Sequence, residues 1–257
     1  MVPLNTKNLI FGNKNLATVP FPQTTLKIGQ TNKYLKDVSS KIIYSILVKS
    51  KFKIPIGIIR WCQTFNLSED EISNAFLFSR ACTQSTKSWS FQYKVATFTL
   101  PTGEYLWNYK VRETYYCDRC LSVSGESGES SVERDVIRHN LYSCPQLYPF
   151  VCKVFNFFVD ECSIREGIPE IKYLLGFQDK ANNGLNCALL ELKQYIFYNF
   201  SSNKSLTLHF NLYISRLRRL ILKEKRYYLS VNKLELFFDK WSNFSSVYIL
   251  LGPDPMY

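Results

Sequence analysis

The stretch that decides how the middle of the chain folds runs from residue 117 to residue 144 and reads CDRCLSVSGESGESSVERDVIRHNLYSC. Four residues in it follow the pattern Cys-x2-Cys-x18-His-x4-Cys, namely Cys117, Cys120, His139 and Cys144. A Cys-x-x-Cys turn presents two thiolates to one ion, and a His and a Cys with this separation can complete a tetrahedral site. The spacing therefore predicts a zinc site.

A site with four protein ligands has no open position for water or substrate, so the expected Zn²⁺ is structural and not catalytic. The Ser- and Gly-rich residues between its two halves suit a flexible loop, which costs only loop-closure entropy. The alternative is that the pattern arose by chance, because the chain has eight cysteines. Against this alternative, one of the only two histidines in the sequence falls at ligand spacing. The other cysteines are predicted to be buried apolar thiols, and they are Cys62, Cys82, Cys152, Cys162 and Cys187.

Charge is distributed unevenly along the 257 residues. The net charge of +11 is made up of +9 in residues 1–60, 0 in 61–116, −3 in 117–185 and +5 in 186–257. A basic chain favours a polyanionic partner, either nucleic acid or an anionic surface. We therefore expect RNA or DNA to contact the flanks before the cysteine-rich centre.

Apolar periodicity around the zinc segment predicts a mostly α-helical protein, with helical segments around a small loop-rich CCHC zinc-binding module. The predicted regions are a basic helical linker-like region (1–80), the zinc-binding segment (81–185) and a C-terminal basic helical region (186–257). Ser68 is the predicted N-cap of one helix. Residues 88–100 fit either a strand or a buried helix, and the pattern leaves both open. The remaining predicted helices lie within residues 33–53, 186–200, 208–229 and 231–241.

The helix predicted over residues 208–229 has cations on the side opposite its apolar residues. These are Arg216, Arg219, Lys223 and Arg226, spaced by three, four and three residues. Such a row can follow a phosphate backbone. The alternative is a solvated face on a basic protein, which needs no ligand.

Several function classes lack their motif in this sequence. There is no phosphate-binding Gly-rich loop, nucleophile elbow, His-Glu-x-x-His or adjacent Asp pair for two-metal catalysis, so we expect neither an enzyme nor a small-molecule substrate. The first twenty residues have no secretory apolar core, and no stretch reaches the roughly 18 apolar residues of a membrane span. The expected location is therefore intracellular, nuclear or cytoplasmic, without membrane contact.

Further short motifs flank the four ligands in a fixed order. Upstream lie Phe91, Gln92, Tyr93 and Lys94, then Leu100, Pro101 and Thr102, then Tyr105 and Leu106; Asp135 precedes His139 by four residues, and Pro145 follows Cys144. Downstream lie Leu175 with Gly176, Asn186, Lys193, Tyr195 with Ile196, Glu224 with Lys225, and Lys240 with Trp241. In this order they resemble the C-terminal segment of LINE-type, non-LTR retrotransposon reverse transcriptases, including the reverse transcriptase zinc-binding domain.

The resemblance covers roughly residues 38–245 and implies that the segment holds template RNA or target DNA beside a polymerase. Phe98 and Gly103 depart from the family pattern at positions where it has Arg and Asn. The polymerase palm and the endonuclease are missing from the chain, so no polymerase activity is expected. A zinc-stapled structural or protein-interaction module from a decayed element, without a nucleic-acid role, is the second hypothesis, and the charge of −3 in residues 117–185 supports it.

Overall fold

The computed structural model describes residues 25–28, 31–34, 38–42, 56–68, 70–72, 81–124, 134, 136–200 and 208–244. The chain divides into two units, Met1–Lys53 and Ile54–Tyr257. The described residues are mostly helical, which confirms the predicted fold class at that level.

An antiparallel hairpin lies in the first unit. Strand β1 (Thr25–Ile28) pairs with β2 (Thr31–Tyr34), and Thr25 lies opposite Tyr34. The β-branched residues of these strands fit a pleated backbone, yet the sequence analysis predicted no strand here. The amphipathic helix predicted within residues 33–53 does not include residues 33 and 34, which belong to β2. Residues 40–42 are helical, and residues 43–53 lie outside the described residues.

The second unit consists of helices in its described residues. They are α1 (Ile56–Phe65), α2 (Thr86–Ala96), α3 (Gly103–Asn108), α4 (Asp118–Ser124), a π-helix (His139–Ser143), α5 (Tyr148–Cys162), α6 (Glu170–Leu175), a 3₁₀-helix (Lys180–Asn182), α7 (Asn183–Phe200), α8 (Phe210–Ser230) and α9 (Leu234–Trp241). The ambiguous residues 88–100 are therefore helical up to Ala96 and not a strand. None of the helices in the described part of the chain has the length and apolar character needed to cross a membrane.

Helices α1 and α2 pass each other closely at a glycine. A Cβ on Gly57 would lie 2.4 Å from the backbone carbon of Thr97, so only glycine allows this approach. The Trp61 side chain is fully buried beside it, and its indole Nε1 donates a hydrogen bond to the Ala96 carbonyl at 3.1 Å. This contact fixes α2 in the core.

The helix start predicted at Ser68 is confirmed. The Glu71 carboxylate accepts hydrogen bonds from the Ser68 backbone N–H and hydroxyl, both at 2.9 Å, and the Glu71 N–H donates to the Ser68 hydroxyl at 3.4 Å. This is a capping box, in which each side chain satisfies the other residue's backbone. These hydrogen bonds lower the pKa of Glu71.

Helix α7 lies at the centre of the second unit, because every residue from 184 to 197 is buried. It packs against α2, α8, α9 and the π-helix. The sequence analysis predicted a helix within residues 186–200 from its apolar periodicity, and the structure shows this helix buried on all sides. The predicted boundary between residues 185 and 186 lies inside α7, and one hydrophobic core includes residues on both sides of it.

Candidate metal centre and basic helix

The two halves of the Cys and His pattern are joined by a short β-bridge. Tyr116, directly before Cys117, pairs in antiparallel fashion with Arg134, five residues before His139. The Arg134 guanidinium lies 5.2 Å from the centre of the Tyr115 ring. This bridge closes the loop between the halves and brings the Cys117 segment to the His139 segment.

The four predicted ligands lie together. One ligand atom from each of Cys117, Cys120, His139 and Cys144 lies within 4.8 Å of all the others. The Cys120 Sγ is 3.4 Å from the His139 Nε2 and 3.9 Å from the Cys144 Sγ. Metal–ligand distances of about 2.3 Å for sulfur and about 2.0 Å for nitrogen place tetrahedral ligand pairs about 3.5 to 3.8 Å apart. The group could therefore hold a metal ion.

A π-helical turn explains the spacing of His139 and Cys144. The Cys144 N–H donates to the His139 carbonyl at 3.0 Å, five residues back, and residues 139–143 form the π-helix. The wider turn returns the chain to the same side after five residues, where an α-helix returns after three or four. The pair lies in a separate turn that directly precedes α5.

Three of the four ligands are buried: Cys117, His139 and Cys144, whereas Cys120 is half-buried. The pKa of Cys117 is lowered, first by a hydrogen bond from the Cys144 thiol and then by His139 and the N–H groups of Cys120 and Arg119. The same shared hydrogen bond raises the pKa of Cys144. The thiolate is the form that binds metal, so the N–H groups at the start of α4 favour the ligand form of Cys117.

The other five cysteines were all predicted to be buried. Cys82 and Cys187 are buried, but Cys62, Cys152 and Cys162 are half-buried. Burial raises the pKa of Cys82 to about 11 and that of Cys162 to about 12. None of these five belongs to a cluster that could hold a metal within the described residues.

The four predicted cations all lie on α8, but in two different environments. Arg219, Lys223 and Arg226 are exposed, while the buried side of α8 consists of Tyr213, Leu217, Ile221 and Glu224. Arg216 is half-buried and forms an ion pair with Glu191 of α7. Arg218 is exposed as well, but it was not among the predicted cations, because it lies off the three- and four-residue spacing of the row. The exposed basic row of α8 therefore consists of Arg219, Lys223 and Arg226.

The polar residues of the flanking motifs make buried contacts. The Asn186 side chain accepts from the Phe177 N–H at 2.7 Å and donates to the Phe177 carbonyl at 2.9 Å. Glu224 accepts from Lys240 Nζ at 2.6 Å and from Trp241 Nε1 at 3.1 Å. Asp135 lies outside the described residues. These motif residues hold helices together inside the core.

The comparisons with known proteins give no relative. No protein-family profile, curated protein or solved structure matches the chain.

Proposed function

We propose that this chain is a non-catalytic, zinc-stabilised nucleic-acid-binding fragment, resembling the C-terminal part of a non-LTR retrotransposon reverse transcriptase. Its role is to hold template RNA or target DNA inside the cell. The observation that carries the proposal is the exposed row of Arg219, Lys223 and Arg226 on α8, a helix that shares its core with the Cys and His cluster.

Zinc is the metal that the ligand set supports best. Three sulfurs and one imidazole nitrogen within 4.8 Å of one another suit a tetrahedral, thiolate-rich site. All four positions come from the protein, so the ion's role is to join α4 to the π-helix and α5. Zinc supplies no catalytic step in this proposal.

The charge of α8 supports contact with phosphates. The helix sequence FNLYISRLRRLILKEKRYYLS contains six Lys and Arg and a single Glu. This glutamate, Glu224, is buried in an ion pair with Lys240, and Arg216 is paired with Glu191. The net charge of the exposed side of α8 therefore stays positive. A phosphate backbone lying along this side would release counterions, which makes the affinity depend on salt.

The resemblance to non-LTR reverse transcriptases draws support from the buried motif residues. Gln92 contacts Lys193, Asn186 contacts Phe177, and Glu224 contacts Lys240 and Trp241. Residues that a family pattern would retain for folding are expected to make such contacts, because buried polar groups need partners.

A salt series tests the proposal. Binding of labelled single-stranded RNA and DNA is measured by fluorescence anisotropy from about 50 mM to about 200 mM salt, where wild-type affinity should fall steeply. The variant Arg219→Gln/Lys223→Gln/Arg226→Gln should bind more weakly and lower the salt slope by about 2. The matched control Lys110→Gln/Arg165→Gln/Lys180→Gln removes three exposed cations outside α8 and should keep the wild-type slope. Absence of wild-type binding at low salt would refute the proposal.

A second candidate function is a zinc-stapled protein-interaction module. The observation that favours it is a run of exposed residues from 107 to 111, in which Trp107 is 44% exposed, Tyr109 65% and Val111 71%. Exposed apolar residues grouped in this way are typical of protein contacts. Unchanged nucleic-acid affinity after Arg219, Lys223 and Arg226 are all changed to Glu, with loss of a protein partner after Trp107→Ser/Tyr109→Ser, would favour this second function.

A further inference from the structure

The four members of the Cys and His cluster differ in their exposure to solvent. Cys117, His139 and Cys144 are 3%, 1% and 0% exposed, so these three residues lie inside the core. Cys120 is half-buried. A small molecule in solution therefore meets the cluster at Cys120.

The place of Cys120 on α4 explains this exposure. Cys120 is the third residue of the helix, and its neighbours Asp118 and Leu121 are exposed. Cys120 also packs against the buried residues of the hydrophobic core. Its side chain thus lies at the border between the core and solvent.

A second sulfur lies close to that of Cys120. The Cys120 Sγ is 3.9 Å from the Cys144 Sγ. A disulfide has its sulfurs about 2.0 Å apart, so the two atoms have to approach each other by about 1.9 Å. The half-buried Cys120 has more freedom for this movement than the fully buried Cys144.

A disulfide between these two sulfurs would exclude a metal ion from the cluster. Two thiolates on one tetrahedral zinc ion lie about 3.8 Å apart, which is nearly twice the length of a disulfide bond. Disulfide sulfurs also lack the negative charge of a thiolate. Cys117 and His139 would then be the only ligands left, so the metal-bound state and the disulfide state exclude each other.

We propose that Cys120 is an oxidation site, at which hydrogen peroxide produces a Cys120–Cys144 disulfide and thereby releases the metal. The inference rests on the proposed zinc site for the identity of the ion. It does not depend on nucleic-acid binding by α8.

The reaction has two steps. The Cys120 thiolate attacks one peroxide oxygen; an S–O bond forms, the O–O bond breaks and hydroxide leaves, which gives a sulfenic acid. The Cys144 thiolate then attacks the Cys120 sulfur; the S–S bond forms, the S–O bond breaks and a second hydroxide leaves. The two sulfurs together lose two electrons to the peroxide, and two protons from solvent convert both hydroxides to water.

Membership of the cluster, more than exposure, makes Cys120 the preferred thiol. The thiolate is both the form of cysteine that binds metal and the form that oxidants attack. Cys62 and Cys152 are half-buried like Cys120, but they lie outside the cluster. Preferential oxidation of Cys120 over these two thiols is therefore the signature of the proposed site.

Peptide mapping identifies the bond. Trypsin cleaves after Arg119 and so separates Cys117 from Cys120, which lies in the peptide 120–134. Cys144 lies in the peptide 139–153 together with Cys152, so the mapping uses the full chain with Cys152→Ser.

The zinc-loaded protein is treated with an equimolar amount of hydrogen peroxide, and the remaining thiols are blocked with iodoacetamide. Mass spectrometry should find peptide 120–134 linked to peptide 139–153. A zinc-binding dye should report one released ion per chain. Dithiothreitol with added zinc should restore the bound metal, because it reduces the disulfide.

The variant Cys120→His tests the role of the exposed sulfur. Histidine is a zinc ligand, so four ligands remain and the metal should stay bound. Release of zinc by peroxide should be lost, because the sulfur that attacks the oxidant is absent. The matched control Cys62→Ser removes a half-buried thiol outside the cluster and should release zinc like the wild type.

Four results would overturn the inference. They are a disulfide between Cys117 and Cys120 in place of the proposed pair, oxidation of Cys62 before Cys120, retention of zinc while Cys120 is oxidised, and release of zinc from Cys120→His at the wild-type rate. Wild-type protein purified without zinc would overturn the release of metal together with the zinc assignment. Absence of nucleic-acid binding would overturn the proposed function and leave the oxidation site intact.

Discussion

The side-chain amine of Lys193 lies 2.5 Å from the Oε1 of Gln92, a residue 101 positions earlier in the chain. The Gln92 Nε2 and the Lys193 amine both donate a hydrogen bond to the Leu174 carbonyl, each at 2.9 Å. Gln92 belongs to α2, Leu174 to α6 and Lys193 to α7. This buried contact therefore joins α2 to α6 and α7, across separations of 82 and 101 residues.

Replacing Gln92 by Leu should destabilise the protein by about 1 to 3 kcal/mol. The change removes an acceptor from the buried Lys193 amine and a donor from the Leu174 carbonyl. Urea unfolding followed by far-UV circular dichroism measures the loss. Lys94→Met, on the exposed side of the same helix, is the control and should keep the wild-type midpoint.

The stability that depends on Lys193 should rise with pH. Burial lowers the pKa of Lys193 from an ordinary value of 10.5 to about 7. Between these values the unfolded chain binds a proton at this amine that the folded chain has lost, so raising the pH favours folding. The slope is at most about 1.4 kcal/mol per pH unit. The free energy of unfolding of wild type minus that of Lys193→Met, measured from about pH 7.5 to 8.5, should increase; a constant difference would contradict the lowered pKa.

Breaking the buried ion pair between Glu224 and Lys240 should cost more than any surface change. Their side chains are 8% and 7% exposed, and Glu224 also accepts from Trp241. Glu224→Gln leaves Lys240 buried without a charge partner, which is expected to cost about 3 to 5 kcal/mol. The double variant Glu224→Leu/Lys240→Met should recover most of this loss, because neither charge remains buried. Exposed Glu235→Gln on α9 is the control in chemical unfolding.

Replacing the ion-paired Arg216 and replacing the exposed Arg219 should have different effects on the free energy of unfolding. Arg216→Met leaves the nearly buried Glu191 carboxylate without its partner and should cost about 1 kcal/mol or more. Arg219→Met, on the exposed side, should change stability by less than about 0.5 kcal/mol. Equal thermal midpoints for the two variants would show that the Arg216 ion pair contributes nothing.

Removing a ligand should release the metal that we propose to be zinc. Cys117→Ser and His139→Ala should each lower the bound zinc measured by elemental analysis, and a chelator should lower the melting temperature of the wild type, because binding free energy contributes to folding. Cys152→Ser is the control, since Cys152 is half-buried but outside the cluster, and it should retain the metal. Wild-type protein purified without bound zinc would contradict the assignment.

Features set by short-range chemistry were predictable. The Cys and His spacing placed Cys117, Cys120, His139 and Cys144 in one group, and the structure brings them together. Ser68 was predicted as an N-cap, and it caps its helix. Ligand spacing and helix caps depend on a few neighbouring residues, so both can be predicted from the sequence before the fold is known.

Features that depend on which helices meet were not predictable. Periodicity could not decide between strand and helix over residues 88–100, and burial of Phe91, Val95 and Ala96 against other helices accompanies the helical choice. Arg216 and Arg219 have the same chemistry and lie on the same helix, yet only Arg216 meets an acid from α7. The hairpin of residues 25–34 was missed because short alternating segments carry a weak signal.

By itself the sequence determined a mostly helical chain, its four metal-ligand candidates and a basic helix near the C-terminus. Only the tertiary structure decided that Gln92 meets Lys193, that Glu224 meets Lys240, and that Trp89 and Tyr93 face solvent. The physical reason is range: helix periodicity, capping and ligand spacing act over a few residues, whereas burial and polar pairing depend on contacts between residues up to 101 positions apart in the chain.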